Sequence, residues 1–125
     1  MTAAQTETLV YKITTSGEWA SAIAGRTFTG SADDVRDGYI HLSSEAQLST
    51  TADTYFTGVR DLVLVALPAR SLGDALVYEP SRGGDLFPHY YGALPVALAR
   101  WVRPIPLDEA GRPDIAATLL AEAGA

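Results

Sequence analysis

The amino-acid sequence predicts an α+β domain in which a split, mixed or mostly antiparallel sheet is packed by helices. Three observations carry this. Segments of alternating or nearly continuous apolar character, each the length of a strand, recur along 125 residues. Segments of helical spacing with capping signals lie between some of them but do not alternate strictly with them, which argues against a doubly wound parallel sheet. Finally, 47% apolar and 19% charged residues is a globular balance, at a length that supports one hydrophobic core.

The elements follow in order. Residues 1–8 read as a disordered leader, residues 9–106 as the α+β domain and residues 107–125 as a C-terminal helical extension. Leu9-Val10-Tyr11-Lys12-Ile13-Thr14 alternates and is rich in β-branched and aromatic residues, the pattern of a first strand. Ser16 offers an N-cap for a helix through Trp19, Ala20 and Ile23 that Gly25 ends. Thr27 to Thr29 reads as a short extended piece, and Ser31 to Asp37 as a polar connector with room for one helical turn. After Gly38 comes the strand Tyr39-Ile40-His41-Leu42-Ser43. Ser44 with Gln47 has the form of a capping box, opening a helix through Leu48, Ala52, Tyr55 and Phe56 that stops at Gly58. Leu62 to Leu67 is apolar throughout, the mark of a strand covered on both faces at the centre of its sheet. A turn over Pro68 to Asp74 leads to a strand at Leu76 to Glu79, and Pro80 to Pro88 reads as a loop. The last strand is expected over Leu98 to Ile105 and the last helix from Asp114, with Ile115, Leu119 and Ala123 on one stripe.

Composition closes off several classes of function. The absence of cysteine excludes disulfides, thiolate nucleophiles and cysteine-based zinc sites, and fits a cytoplasmic protein. A formal charge of −6, with Lys12 the sole lysine and eight arginines scattered from Arg26 to Arg112, disfavours nucleic acid as a partner. No apolar run approaches the ~20 residues that span a bilayer, so no membrane partner is expected. Dinucleotide-binding, P-loop and nucleophile-elbow motifs are absent.

What remains gathers around two histidines. Tyr39, His41 and Ser43 share one face of a predicted strand, and that strand ends at a helix N-terminus where Ser43 and Ser44 can receive an anion or a hydroxyl. A purely structural role for His41 and a capping role for Ser44 account for the segment equally well. The second segment is denser: Arg82-Gly83-Gly84-Asp85 supplies a charged loop, and Phe87-Pro88-His89-Tyr90-Tyr91-Gly92 sets aromatics around His89. Aromatic faces, a guanidinium and an imidazole suit a flat, partly anionic small molecule such as a nucleotide. Glu79 and Asp85 are candidate general bases. The two histidines lie 48 positions apart without an H-E-x-x-H pattern, which is weak evidence for a metal and leaves no metal ligand assigned.

These residues resemble a known family. Val10-Tyr11-Lys12-Ile13 with Trp19, Gly38 to Ser43, Asp61 to Val65, Tyr78 to Gly92 and Trp101-Val102-Arg103-Pro104 are similar to the small bacterial domain-of-unknown-function family 952, whose hallmarks include a strand-borne histidine and a Phe-Pro-His-x-Tyr-Gly stretch. That family is grouped distantly with the ADP-ribosyltransferase-like fold, which implies a nucleotide-sized cleft and NAD as a candidate substrate of a transferase or an NAD glycohydrolase-like enzyme. By the resemblance, His41 contacts a ribose hydroxyl, Ser43 or Ser44 an amide or phosphate, and Tyr91 or Tyr55 stacks on nicotinamide. Arg82 and His89 then address phosphate or act as acid and base, and Glu79 is the nearest counterpart of the glutamate that orients the nucleophile in such transferases. Members often carry histidine in the first strand where this chain has Lys12, which puts Lys12 in the ligand-binding position. Two alternatives stand beside this expectation: a non-catalytic ligand-binding or interaction module, and a metal-assisted hydrolase or isomerase using His41, His89 and Asp85.

Overall fold

The structure, a computed structural model, describes residues 7–121 and, at Arg82, the backbone only. Residues 1–6 of the leader expected over residues 1–8, and the stripe position Ala123, lie outside the described residues. Five helices and eight strands follow in the order β1 (Leu9–Thr15), α1 (Ser16–Gly25), β2 (Thr27–Phe28), α2 (Ala32–Asp37), β3 (Ile40–His41), α3 (Leu48–Phe56), β4 (Leu62–Pro68), α4 (Ala69–Leu72), β5 (Leu76–Pro80), β6 (Leu86–Tyr90), β7 (Leu94–Pro95), β8 (Trp101–Ile105) and α5 (Ile115–Leu120) among the described residues. Every strand pairing among them is antiparallel, in three sheets ordered β1-β4-β8, β2-β7 and β3-β6-β5. The chain is thus an α+β fold of antiparallel sheets with packed helices.

β4 is the middle strand of the first sheet, as its unbroken apolar run predicts, because both of its faces are covered. Side chains alternate across a strand, so Val65 and Leu67 join Val10, Trp19, Phe28, Ile40 and Leu94 in one core layer. Leu62, Leu64 and Ala66 join Tyr11, Ile13, Leu48, Ala52 and Ile115 in the layer on the other face. Lys12 lies on the same face of β1 as Val10 and is carried into the protein by that alternation.

The third sheet is tied to the first beyond the end of β3. Tyr11 donates its backbone N–H to the Ser43 carbonyl at 2.8 Å, and Ser43 donates back to Tyr11 at 2.9 Å. This bridge fixes β3 and β6 against the free edge of β1 and leaves a cleft where the two sheets meet.

Local chemistry moved several boundaries. The N-cap of α1 is Thr15 rather than Ser16: its hydroxyl accepts from the Glu18 N–H at 3.1 Å, while the Glu18 carboxylate accepts from the Thr15 N–H. Such reciprocal caps contribute about 1 kcal/mol. Arg26, not Gly25, takes the left-handed position that closes this helix, and Ile23 is exposed. Ser44 opens a short 3-10 turn at Glu45–Gln47 that runs into α3. The expected loop over Pro80 to Pro88 is shorter than predicted, because Leu86, Phe87 and Pro88 belong to β6, the middle strand of the third sheet. Proline reads as a strand breaker because it lacks an N–H. Pro88 is tolerated because N–H and C=O of one residue of an antiparallel strand point to the same side. Its carbonyl accepts from Leu42 N–H, just past the end of β3, so the missing donor leaves no ladder bond to β5 unmade. Finally, β8 starts at Trp101, with Val96–Leu98 forming a 3-10 turn where strand was expected from Leu98.

Candidate functional site

The cleft encloses about 280 Å³. Its floor is set by strand register: β3 and β6 pair His41 directly opposite His89, and the two imidazoles stand edge to face with ring centroids 5.7 Å apart. Tyr39 covers both, stacked on His89 at 4.0 Å and tilted against His41 at 4.7 Å. Two residues 48 positions apart in sequence thereby become neighbours.

Each histidine has a carboxylate behind it. Asp34, the third residue of α2, is buried and receives four donors. Lys12 Nζ lies 2.8 Å from Oδ2 and the Ser31 N–H donates to the same oxygen at 3.0 Å. His41 gives Oδ1 both its Nδ1, at 2.6 Å, and its backbone N–H, at 3.0 Å. Burial by itself raises the pKa of Asp34, but the His41 hydrogen bonds and the charge of Lys12 outweigh it and hold the carboxyl well below the usual range. Lys12 uses a further N–H on the His41 carbonyl at 3.1 Å. A lysine this deeply buried needs such a partner, since an unpaired charge in the interior costs several kcal/mol.

Nε2 of His41 faces Asp37 Oδ2 at 2.9 Å. Ionised carboxylates only accept, so His41 satisfies both contacts when both ring nitrogens carry protons. Asp37 is held below its ordinary value first by the hydrogen bond from Arg36. Gly30 makes room for this arrangement: its φ is 111°, and a Cβ there would come within 2.5 Å of the Asp34 Cβ.

On the other wall, Glu79 Oε1 accepts from His89 Nδ1 at 2.7 Å and from the Tyr91 hydroxyl at 2.7 Å. The register explains the meeting. Glu79 pairs with Phe87, and Phe87, His89 and Tyr91 fall on one face of β6 and its continuation. The hydrogen bond from His89, then that from Tyr91, lowers the Glu79 pKa, and the same bond raises that of Tyr91.

Of the residues singled out in the sequence, Lys12, His41, Ser43, Tyr55, Phe87 and His89 line the cleft. Glu79 and Tyr91 stand behind His89 instead. Ser44 is occupied with the turn that follows it, its N–H donating to Gln47 Oε1 at 3.0 Å, and the Asp85 carbonyl closes the preceding turn by accepting from Ser81 N–H. Neither Ser44 nor Asp85 lines the cleft. The side chain of Arg82 lies outside what the structure describes. No group of three or more histidine, aspartate or glutamate side chains arranged to share a metal ion occurs among the described residues. Sequence reasoning missed Asp34 and Asp37, whose only local signal is the Ser31-to-Asp34 spacing of a capping box in a polar connector.

A family model described as "Protein of unknown function (DUF952)" matches residues 13–102. The chain belongs to DUF952. Among solved structures, it is similar to the crystal structure of protein CC0527 from Caulobacter crescentus, with 43% identity and a TM-score of 0.87 over 91% of this chain and 100% of that one. The solution NMR structure of CC0527 is similar at a TM-score of 0.81 and 43% identity, over 91% and 98% of the two chains. No curated protein matches the chain. Both histidines fall inside the matched DUF952 region, as do Lys12's neighbours from Ile13 onward, Asp34 and Glu79. No helix among the described residues is long and apolar enough to cross a membrane.

Proposed function

We propose that this DUF952 domain binds NAD or a nucleotide-like small molecule by its ribosyl end, as an enzyme or enzyme-derived module of ADP-ribosyltransferase-like fold. The observation that carries the reading is the pairing of His41 and His89 across β3 and β6, each backed by its own carboxylate, on the floor of one cleft. Held this way, His89 presents Nε2 to a ribose hydroxyl, while both ring nitrogens of His41 are taken up by Asp34 and Asp37 and its ring shapes the floor. Tyr55, Phe56 and Phe87 supply aromatic surface for a flat base on the walls. The volume is at the small end of the ~300–1,000 Å³ range of ligand pockets, so it suits a nucleoside-sized part of a dinucleotide, with the remainder running out to solvent.

Charge supports the same reading. The acidic groups Asp33, Asp34 and Asp37 outnumber the bases Lys12 and Arg36 among the described side chains of the lining. Breaking the bond between ribose and nicotinamide develops positive charge at the sugar, and preoriented carboxylates stabilise it. The same acidity disfavours an RNA backbone. Calorimetric titration with NAD, ADP-ribose and nicotinamide mononucleotide is the test. At least one is expected to bind, with affinity falling about tenfold in His89→Ala, the loss of roughly one hydrogen bond. If none of them binds, the nucleotide reading fails.

A second reading, a non-catalytic ligand-binding module, is favoured by the full occupation of Asp34, whose two oxygens are spent on Lys12, His41 and Ser31. Turnover of NAD by the purified protein, abolished in His41→Ala, would eliminate it.

A further inference from the structure

Within the cleft the two imidazoles are wired differently. His41 meets a carboxylate at each ring nitrogen. His89 meets one at Nδ1 alone, and its side chain is 3% exposed. A carboxylate has no proton to give, so the Nδ1 contact with Glu79 requires the proton on Nδ1. Tyr91 strengthens this by donating its hydroxyl to the same Glu79 oxygen, which fixes the carboxylate from the far side. Nε2 of His89 has no hydrogen-bond partner among the described residues. It is not sealed from solvent either, since Arg103 Nε is the only buried side-chain polar atom among them with neither partner nor access. The opening it faces is the cleft that His89 lines.

We propose that His89 is the general base of the cleft, accepting a proton through Nε2, with Glu79 as the positioning residue that selects its tautomer and Tyr91 as the clamp on Glu79. The identity of the reaction rests on the NAD reading above; the assignment of the base does not. For NAD the step balances as a hydrolysis. A water gives its proton to Nε2 while its oxygen bonds to the ribosyl carbon, and the carbon–nitrogen bond breaks with its electron pair leaving on the nicotinamide nitrogen, whose positive charge is thereby neutralised. Glu79 stays ionised throughout and stabilises the imidazolium, and Nε2 later returns its proton to solvent. Tyr39, stacked on the His89 ring, keeps the ring plane fixed while the proton moves.

The test couples a spectroscopic readout that needs no ligand to kinetics that do. Imidazole proton–nitrogen NMR correlations on the wild type, recorded with the ring neutral, are expected to show His89 with Nδ1 protonated and Nε2 carrying a lone pair, a signature disturbed in Glu79→Gln. NAD turnover is expected to fall about 100-fold in Glu79→Gln and roughly tenfold in Tyr91→Phe, at the scale of general-base contributions, while NAD affinity stays within about threefold of wild type, as for a group that acts on the reacting proton and not on binding. Tyr91 is exposed, so its variant keeps the proposal testable if Glu79→Gln folds poorly. A wild-type His89 with the proton on Nε2 overturns the assignment, and so does a Glu79→Gln variant with unchanged tautomer and turnover. Binding of NAD without turnover by the wild type overturns NAD hydrolysis as the reaction of this base. If no nucleotide binds but the tautomer is as expected and responds to Glu79→Gln, the base assignment stands and the NAD reading falls.

Discussion

Replacing Asp34 by asparagine tests the network beneath the cleft most directly. Asparagine fits the same space and its carbonyl can keep the Oδ1 role, accepting from the His41 ring and backbone. Its amide nitrogen must then stand where Oδ2 stood, facing Lys12 Nζ and the Ser31 N–H, donor against donor. Lys12, itself 5% exposed, is left as a buried charge without its counterion. Breaking a buried ion pair from one side costs about 3–5 kcal/mol, a figure that already contains the lost hydrogen bonds. Against a total stability of roughly 5–15 kcal/mol this is a large fraction. In urea unfolding, with m near 1–3 kcal/mol per molar, the midpoint is expected to fall by about 2 M at unchanged m. Adding Lys12→Met to Asp34→Asn removes the stranded charge, so the double variant is expected to recover about 2 kcal/mol relative to additivity. Acid titration supplies an independent check. The folded pKa of Asp34 lies below its unfolded value of about 4, so the unfolded chain binds the extra proton as pH falls. The stabilisation is therefore complete above that value and is lost progressively below it, and Asp34→Asn is expected to flatten this limb. A loss under about 1 kcal/mol in Asp34→Asn, with no recovery on adding Lys12→Met, would refute the buried-pair argument.

Gly30→Ala is expected to cost about 1–3 kcal/mol, because the new Cβ needs both a left-handed backbone and the space of the Asp34 Cβ; thermal unfolding and the His41 resonances would register both effects. The Tyr11 phenol is pushed up to about 12, first by burial and then by the Glu45 carboxylate that accepts its hydrogen bond. Since the folded state holds this proton longer, its contribution to stability is present below about pH 10 and is lost as pH rises toward 12. In a phenolate absorbance titration, Glu45→Gln should move the latest-ionising tyrosine to lower pH. Arg103→Met should cost about 1 kcal/mol and expose the amides of α5 to hydrogen exchange. The guanidinium lies 3.8 Å over the Trp101 ring and donates to the Thr118 and Leu119 carbonyls at the end of that helix. Unchanged exchange there would show that burial of Ile115 and Thr118 and the Asp114 cap hold α5 without Arg103.

The period of the apolar pattern was enough to place most elements, because burial on a strand or helix face is a local property of the residues that make it. Leu62 to Leu67 announced a strand covered on both sides, and Asp114 announced the cap of α5, where its carboxylate accepts from the Ala117 N–H. Even the cluster around His89 was visible from its composition. Local rules failed where tertiary contacts outweighed them. Pro88 sits inside a central strand because its missing donor falls beyond the end of β3, and no local window can see where the neighbouring strand stops.

The sequence alone therefore singled out the histidines of the strands, His41 and His89, as candidates. The tertiary structure decided what each of them touches. Antiparallel register set the two histidines opposite one another, the alternation of β1 turned Lys12 inward, and the short helix α2 brought Asp34 beneath both Lys12 and His41. A carboxylate in a polar connector looks solvated in a sequence. It becomes the centre of a site only when folding removes it from water, for then its charge must be met by whichever donors the packing brings within reach.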